Sequence, residues 1–393
     1  MVDPGRRPYV DFVTTEGTRM TQKVRIGIVG LGFGAEFIPI YQAHPHAELV
    51  AVCRRTEEPL HRLADHFGIA GRYTSVEAML QDPDIDAVHL NSPIGAHAEQ
   101  SIAALRAGKH VACTVPMATS VEDCARIVEA QQDSGKSYMM METAVYTREF
   151  LYAKSLLDSG QLGRIQFLRG AHMQEMAGWP DYWLDLPPMH YATHAVAPLL
   201  ALAGREAESV RCLGSGRVSH AAERGGPPFA VETALFRLRD SDLAMEVTRS
   251  LFDIAREYVE SFDVYGERKS YEWQQIEREI PVVFTGEDGA RVEIPDFADL
   301  LPEPIRPYTT RGIYDADENR HLSFTQGSGH GGSHPHLAHE FVTAIVEGRP
   351  PFPDVYAAAN WTSAGICAHE SAMRGGEQVE VPVFGRLGAG VDA

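Results

Sequence analysis

A short apolar strand that runs into three closely spaced glycines most constrains how this chain folds. Residues 24–35 read V-R-I-G-I-V-G-L-G-F-G-A, and their β-branched residues are typical of a buried strand. A strand, a tight glycine turn and a helix form the corner that binds a dinucleotide pyrophosphate, because glycine permits close backbone approach and the helix directs free N–H groups at the phosphates. A plain glycine connector is the structural alternative. The stretch predicts cofactor contacts from Gly30, Gly32, Phe33 and Gly34.

Strands and helices alternate from this corner to about residue 143. Further strands are expected at 48–53, 85–90 and 110–113, and helices at 36–43, 59–67, 75–80, 100–107 and 121–134. Such alternation is typical of an α/β Rossmann domain, a doubly wound parallel sheet that binds ligands at the carboxyl ends of its strands.

Longer strands without intervening helices follow, at 165–173, 209–215, 231–237, 243–249 and 258–265. They favour a large, mostly antiparallel sheet, and the helices expected at 149–157, 337–347 and 357–373 make this part α+β. The glycine-rich residues 327–332 are typical of a mobile loop. We therefore expect a tail at 1–22, a dinucleotide-binding domain at 23–143, a substrate-binding domain at 144–382 and a tail at 383–393.

Charge and composition exclude several classes of function. The chain has 393 residues, and 35 Lys and Arg against 54 Asp and Glu give a net charge of −19. That balance disfavours nucleic acid and anionic membranes as partners. Five scattered cysteines without a C-x-x-C pair favour a reducing, cytoplasmic compartment. No signal peptide or membrane-spanning run is expected.

Two arginines follow the second strand, where a dinucleotide site contacts the adenosine ribose. An acidic residue at this point would indicate NAD, and Arg54 and Arg55 favour a 2′-phosphate on that rule alone. The alternative is that one arginine stacks on adenine while the other is solvated. These residues leave NAD and NADP open.

Four motifs in order resemble those of the Gfo/Idh/MocA superfamily of nicotinamide-dependent sugar oxidoreductases. They are G-L-G-F-G-A at 30–35, N-S-P-I-G-A-H at 91–97, G-K-H-V-A-C-T-V-P at 108–116 and H-Y-A-T-H at 190–194. The resemblance covers residues 23 to about 382. It implies cofactor contacts from Asn91, Ser92, Pro93, His97 and Thr114.

One departure from the superfamily pattern bears on the reaction. Typical dehydrogenases of the superfamily carry E-K-P after the fourth strand, where the lysine assists removal of the hydroxyl proton, whereas this chain has Thr114-Val115-Pro116. Valine carries no proton, so the base must come from elsewhere or the overall reaction must differ. The NAD-dependent glycoside hydrolases of the superfamily, of the α-N-acetylgalactosaminidase type, also lack that lysine. The segments at 140–146, 191–198 and 330–332 are similar to that branch, and sulfoquinovosidases are a second candidate relative.

The hydrolase branch implies a redox-neutral reaction. The sugar is oxidised at C3, a base removes the acidified C2 proton, the C1 substituent leaves, water adds and C3 is reduced again. His194 is the candidate base at the C3 hydroxyl, with His190 four residues earlier on the same expected helix face. Tyr146 is the candidate base at C2. The structural alternatives are a packing histidine pair and a tyrosine that only hydrogen-bonds.

Further residues are expected to contact the ligands. Glu142 is expected to bond the nicotinamide ribose or to orient Tyr146, and aromatic residues near a Gly-Trp-Pro turn suit the apolar face of a sugar, although aromatics are often core. No metal is expected, although H-x-x-x-H spacing can bind one. The expected substrate contacts are Arg148, His172, Trp179, Trp183, Tyr191, His330 and His334.

Three functions follow from these observations. The first is an NAD-dependent glycoside hydrolase acting on a small-molecule glycoside, with sulfoquinovosides a candidate substrate by resemblance alone. A cofactor regenerated in each turnover need not exchange with the NADP pool, which favours NAD. The second is an NAD(P)-dependent sugar or polyol dehydrogenase that uses one of the two histidines as its base, and the third is a non-catalytic sugar sensor. The resemblance also implies a homo-oligomer formed through the C-terminal sheet.

Overall fold

The computed structural model describes residues 23–220, 227–256, 258–276, 279–310 and 328–385. The tail expected at 1–22 and the last eight residues of the tail expected at 383–393 lie outside these ranges. No helix within the described ranges has both the length and the apolar character needed to cross a membrane.

Six parallel strands form the first sheet, in the order β3-β2-β1-β4-β5-β6. The strands are β1 Val24–Val29, β2 Ala47–Cys53, β3 Gly71–Tyr73, β4 Ala87–Leu90, β5 His110–Thr114 and β6 Tyr138–Met141. The helices between them are α1 Ile38–Ala43, α2 Glu57–Phe67, α3 Val76–Leu80, α4 His97–Arg106 and α5 Val121–Ser134. This order confirms the doubly wound fold and brings the ends of β1 and β4 together, where such sheets bind ligands.

The turn after β1 requires glycine for steric reasons. Gly30 has φ of 82°, and a Cβ there would come within 2.3 Å of the carbonyl oxygen of Asn91. A Cβ on Gly34 would come within 2.9 Å of the Asn91 side-chain nitrogen. Beyond the turn the chain first forms a 3₁₀ helix, Phe33–Phe37, and only then α1, so the helix expected at 36–43 is shorter than predicted. The two glycines leave a backbone cradle at the carboxyl edge of the sheet.

Nine strands form the second sheet, in the order β14-β13-β12-β11-β7-β10-β9-β8-β15. Its pairs are antiparallel except β10 with β7, which confirms the mostly antiparallel architecture. The strands are β7 Ile165–Gln174, β8 Ala207–Ser215, β9 Val231–Leu238, β10 Ala244–Ser250, β11 Tyr258–Gly266, β12 Ser270–Glu272, β13 Val282–Thr285, β14 Asp288–Arg291 and β15 Val379–Glu380.

Four longer helices accompany this sheet: α6 Arg148–Asp158, α7 Thr193–Ala203, α8 Ser328–Glu347 and α9 Val355–Met373. Helix α7 is buried along most of its length and packs on β7, β10 and β11, while α9 packs on both α5 and β8. Apolar side chains of both sheets therefore share one continuous core, in which Ile26 and Val111 belong to the first sheet and Phe236 to the second. Short 3₁₀ helices at Ile94–Ala96, Thr143–Val145, Asp181–Trp183, Pro188–Tyr191, Ala298–Leu300 and Glu303–Thr309 complete the described elements.

Two local expectations are wrong. Residues 328–332 begin α8 rather than forming a mobile loop, and residue 327 lies outside the described ranges. His190 and His194 do not share a helix, because a 3₁₀ helix ends at Tyr191 and α7 begins at Thr193. The i, i+4 spacing of the two histidines therefore does not place them on one face.

Candidate active site

A cavity lies at the carboxyl edge of the first sheet and opens against the second sheet. Apolar and aromatic side chains line it together with a few polar groups, as is typical of a small-molecule site. The loops after β4, β5 and β6 supply one wall, and β7, β11 and the segment leading into α7 supply the other. The cavity lining includes Phe33, Asn91, Ser92, His97, Thr114, Val115, His172, Gln174, Trp179, Tyr182, Trp183, Tyr191, His194, Tyr258, Glu260 and His330.

His194 forms a buried pair with Glu142. Its Nδ1 donates to Glu142 Oε1 at 2.6 Å, and its Nε2 lies 3.3 Å from the Tyr191 hydroxyl. Because a carboxylate can only accept, this pairing makes Nε2 of the neutral ring an acceptor on the cavity side, where the Tyr191 hydroxyl is its donor. Burial lowers the pKa of His194, but the negative charges of Glu142 and Glu260 outweigh it and raise the pKa to about 8. The imidazole can therefore exchange a proton near neutral pH.

Three charged or titratable side chains lie in one row across neighbouring strands. His172 on β7 pairs in register with Arg249 on β10 and with Glu260 on β11. Glu260 Oε1 lies 3.9 Å from His172 Nε2 and 3.7 Å from His194 Nε2. Neither that oxygen nor either ring nitrogen of His172 has a hydrogen-bond partner, although all three are buried. Since buried polar atoms are rarely left unpaired, these atoms are suited to bind the hydroxyls of a ligand.

Arg249 is the member of this row that binds the surrounding protein. The side chain is fully buried and donates to the Tyr191 carbonyl at 2.8 Å, to the His172 carbonyl at 3.0 Å and to Gln174 Oε1 at 2.8 Å. It also donates to the carbonyl of Ser250. Burial lowers the pKa of Arg249 to about 9, although the neighbouring acidic groups oppose this. Its donors bind the protein, so the guanidinium positions cavity residues rather than facing a substrate.

Two of the three expected catalytic residues do not line the cavity. The Tyr146 hydroxyl donates to the Phe352 carbonyl at 2.8 Å, and the tyrosine is buried below the surface of the cavity wall. The ring of His190 packs edge-on against His369 with 5.1 Å between centroids, and burial lowers its pKa to about 3. These positions do not support a base role for either residue. Of the expected three, His194 alone faces the cavity.

The expected substrate contacts also divide into two groups. Arg148 does not line the cavity, because it donates to the carbonyls of Gly331 at 3.2 Å and Thr309 at 2.9 Å and so anchors the segment next to His330. His334 is fully buried and stacks on Phe37 with 4.4 Å between ring centroids. The other expected contacts line the cavity: His172, Trp179, Trp183, Tyr191 and His330.

The expected cofactor contacts are likewise only partly assembled. Asn91, Ser92, Thr114 and Phe33 line the cavity, together with His97, whose ring nitrogens contact the carbonyls of Pro116 and Ser92, each at 2.8 Å. Glu142 pairs with His194 instead of facing a ribose. Pro93 is exposed. Arg54 and Arg55 directly follow β2, as expected for contacts to the adenosine ribose, and do not line this cavity.

Glu260 was missed by the sequence reasoning because no motif surrounds it. The signal that could have found it is the period of two along β11, where Tyr258, Phe262 and Val264 are buried on the inner face. A glutamate in that inward register is unusual. It marks a carboxylate directed at the interior rather than at solvent.

Comparisons with known proteins bear on the first domain most directly. Residues 24–142 match the family GFO_IDH_MocA, described as an oxidoreductase family with an NAD-binding Rossmann fold. The first domain is therefore similar to this family over its whole length. The resemblance stated from the sequence, the fold class and NAD as cofactor are thereby confirmed. The turn fits this cofactor, because Gly30 and Gly34 let it pack closely against Asn91 at the end of β4, which holds the glycine backbone at the edge of the sheet where a pyrophosphate binds.

The proteins that this chain is similar to are named for two different activities, dehydrogenase and glycosyl hydrolase. The chain is similar to a 1-carboxy-3-chloro-3,4-dihydroxycyclohexa-1,5-diene dehydrogenase of Comamonas testosteroni, with 32% identity over 37% of each chain. It is similar to a glycosyl hydrolase family 109 protein of Saccharopolyspora erythraea, with 24% identity over 93% of this chain and 84% of that one. A levoglucosan dehydrogenase solved with NADH and levoglucosan shares the fold, with a TM-score of 0.74 and 21% identity over 92% of this chain and 100% of the other. The match to the Comamonas protein spans little more than a third of that protein's length.

Gly30→Ala is expected to weaken NAD binding at least about tenfold, because the added Cβ collides with the Asn91 backbone and opens the phosphate-binding turn. Isothermal titration with NAD measures the change. Gly108→Ala is the matched control, since Gly108 has φ of 74° but no atom within 4 Å of the added Cβ. Equal affinity of Gly30→Ala and wild-type protein would contradict a role of this turn in cofactor binding.

Proposed function

We propose that this protein is an NAD-dependent glycoside hydrolase that cleaves its substrate through transient oxidation at C3. One observation carries the proposal. The cavity holds a buried His194–Glu142 pair as the proton acceptor, while Val115 lines the position at which the superfamily's dehydrogenases carry a lysine. Family 109 glycosyl hydrolases among the relatives support the same reading.

His194 would act at the C3 hydroxyl. Its Nε2 accepts the hydroxyl proton during oxidation and returns the same proton at the end of the cycle, and Glu142 stabilises the imidazolium that exists in between. Bound NAD supplies a reversible hydride acceptor for C3. Because the proton and the two electrons are both returned, hydrolysis of the glycosidic bond is the only net change.

The cavity wall favours an uncharged sugar. Among the described residues that line it, none is Lys or Arg, and Arg249 lies behind the wall with its donors bound to the protein. Trp179, Tyr182 and Trp183 form an aromatic side suited to the apolar face of a pyranose. We therefore propose a neutral pyranoside rather than a sulfoquinovoside, whose sulfonate would need a cation.

A sugar or polyol dehydrogenase is the second candidate function. It is favoured by the Comamonas dehydrogenase, whose sequence identity of 32% is higher than the 24% of the Saccharopolyspora hydrolase. In that reaction His194 would still accept the hydroxyl proton. The two candidates differ in whether the sugar is released oxidised or hydrolysed.

Assays of neutral nitrophenyl glycosides and a nitrophenyl sulfoquinovoside with the NAD-loaded protein test the proposal. We expect release of nitrophenol from a neutral glycoside without accumulation of NADH, and the absorbance of each product measures it separately. NADH formed in step with substrate loss identifies the dehydrogenase instead. Preferential cleavage of the sulfoquinovoside contradicts the neutral substrate class.

The rate is expected to depend on the protonation of His194. The base must be neutral, so kcat/KM should rise with pH and level off above a pKa of about 8, the value that Glu142 and Glu260 give His194. Glu142→Gln removes one of these charges and should move the midpoint of this limb to lower pH. An unchanged midpoint in that variant would show that the titration of another group controls the rise of kcat/KM with pH.

A further inference from the structure

The proposed reaction needs a second base, for the C2 proton. C2 and C3 are bonded neighbours on the sugar ring, and each base must lie about 3 Å from the atom whose proton it takes, so this base must lie within about 8 Å of the group that takes the C3 hydroxyl proton. That group is His194 Nε2. Tyr146, the residue that the sequence favours, does not line the cavity.

Glu260 satisfies the distance requirement. Its Oε1 lies 3.7 Å from His194 Nε2, borders the cavity and has no hydrogen-bond partner. We infer that Glu260 is the catalytic base that removes the C2 proton of the substrate, an inference that rests on the proposed function. Enzymes that enolise ketones commonly use a carboxylate in this way.

The charge of Glu260 suits the role. Burial alone would raise its pKa, but His194, His330, a hydrogen bond from Tyr258 and Arg249 together lower it. The side chain is therefore a carboxylate at neutral pH. The carboxylate keeps its charge although the side chain is only 10% exposed, because positive and polar groups surround it.

The neighbouring groups suit the role less well. Burial and the charge of Arg249 hold the pKa of His172 well below its usual range, which makes it a weak base. The Tyr191 hydroxyl contacts His194 Nε2 at 3.3 Å, and burial together with Glu260 raises its pKa, so it remains protonated. Glu260 is the one anionic oxygen facing this part of the cavity among the described residues.

The step balances with His194 and Glu260 alone. The C2 proton goes to Glu260 Oε1, the C–H electron pair forms the C2–C3 double bond and the C3 carbonyl pair moves onto its oxygen, where protonated His194 stabilises it. The carbonyl then re-forms, a C1–C2 double bond forms and the C1–O bond breaks, with its pair leaving on the aglycone oxygen. Water then adds: its hydroxide joins C1, its proton goes to the aglycone oxygen, and Glu260 returns a proton to C2.

Exchange at C2 of methyl 3-dehydroglucopyranoside in D₂O isolates this step, because the probe already carries the C3 ketone. Proton NMR measures loss of the C2 signal with the NAD-loaded protein. We expect Glu260→Gln to slow exchange at least about 100-fold and Glu260→Asp to be intermediate. Glu246→Gln is the matched control, since Glu246 lies on β10 outside the cavity and contacts Arg169. Thermal unfolding and NAD affinity verify that each variant is folded.

The outcomes separate the inference from the proposed function. If Glu260→Gln exchanges the C2 proton at the wild-type rate, the inference is overturned. If Tyr146→Phe loses exchange while Glu260→Gln retains it, the base is Tyr146. Glycoside hydrolysis would then still stand. Exchange that depends on Glu260 in a protein that releases no aglycone supports the base and refutes the hydrolase.

Discussion

His194→Gln is expected to reduce glycoside cleavage about 1,000-fold, within the range by which a positioned general base accelerates a reaction. Glutamine keeps a polar side chain of similar length but cannot accept the C3 proton. It also ends the charge pairing with Glu142 at 2.6 Å and leaves a buried carboxylate without its partner. Single-turnover assays of the NAD-loaded variant, with nitrophenol and reduced nicotinamide followed together, measure both the oxidation and the cleavage.

The same substitution at His190 is the comparison for this result. His190 packs against His369 outside the cavity, so His190→Gln should retain a rate within a few-fold of wild type. A loss at His190 as large as that at His194 would contradict the assignment of the proton acceptor. Retention of full oxidation rate in His194→Gln would do so as well.

Arg249→Met is expected to lower the free energy of unfolding by about 3–5 kcal/mol. The methionine fills a similar volume but supplies no donors, so the carbonyls of Tyr191 and His172 and the amide oxygen of Gln174 lose their partner in the interior. Glu260 and His172 would also lose the group that fixes their row. Urea denaturation followed by tryptophan fluorescence measures the change, and NAD affinity reports on the first domain separately.

Arg237→Met provides the reference for a surface arginine. Arg237 is exposed on β9, so its replacement should change the free energy of unfolding by less than about 0.5 kcal/mol. A loss below about 1 kcal/mol in Arg249→Met would indicate that water or a rearranged backbone replaces its hydrogen bonds.

The elements that neighbouring residues specify by themselves could be predicted from the sequence. The glycines after β1, the β-branched run of that strand and the N-capped helix α5 at Val121–Ser134 each specify their conformation within a few residues. Helix α8 was not predictable to the same extent. Its first turn contains Gly331 and Gly332 at positive φ, which a sequence pattern assigns to a loop.

The site was predictable only where a motif names the residue. His194 follows from H-Y-A-T-H, but its partner Glu142 lies 52 residues earlier and meets it only because α7 packs beside the end of β6. The direction of the Tyr146 side chain was not predictable, because spacing along a chain does not give it, and a single 3₁₀ turn directs the hydroxyl to Phe352. Glu260 depends on the pairing of β11 with β7, which no local signal encodes.

The charged groups around His194, which are Glu142, Glu260 and Arg249, have an electrostatic consequence for the cofactor. When His194 is neutral, the carboxylates of Glu142 and Glu260 outnumber the guanidinium of Arg249, so these described groups carry an excess of one negative charge. A negatively charged cavity of low dielectric constant binds a cationic aromatic ring more tightly than the uncharged form of the same ring. The nicotinamide ring is cationic only when oxidised. At a pH above the His194 pKa of about 8, the protein should therefore retain the form of the coenzyme that is ready to begin a cycle.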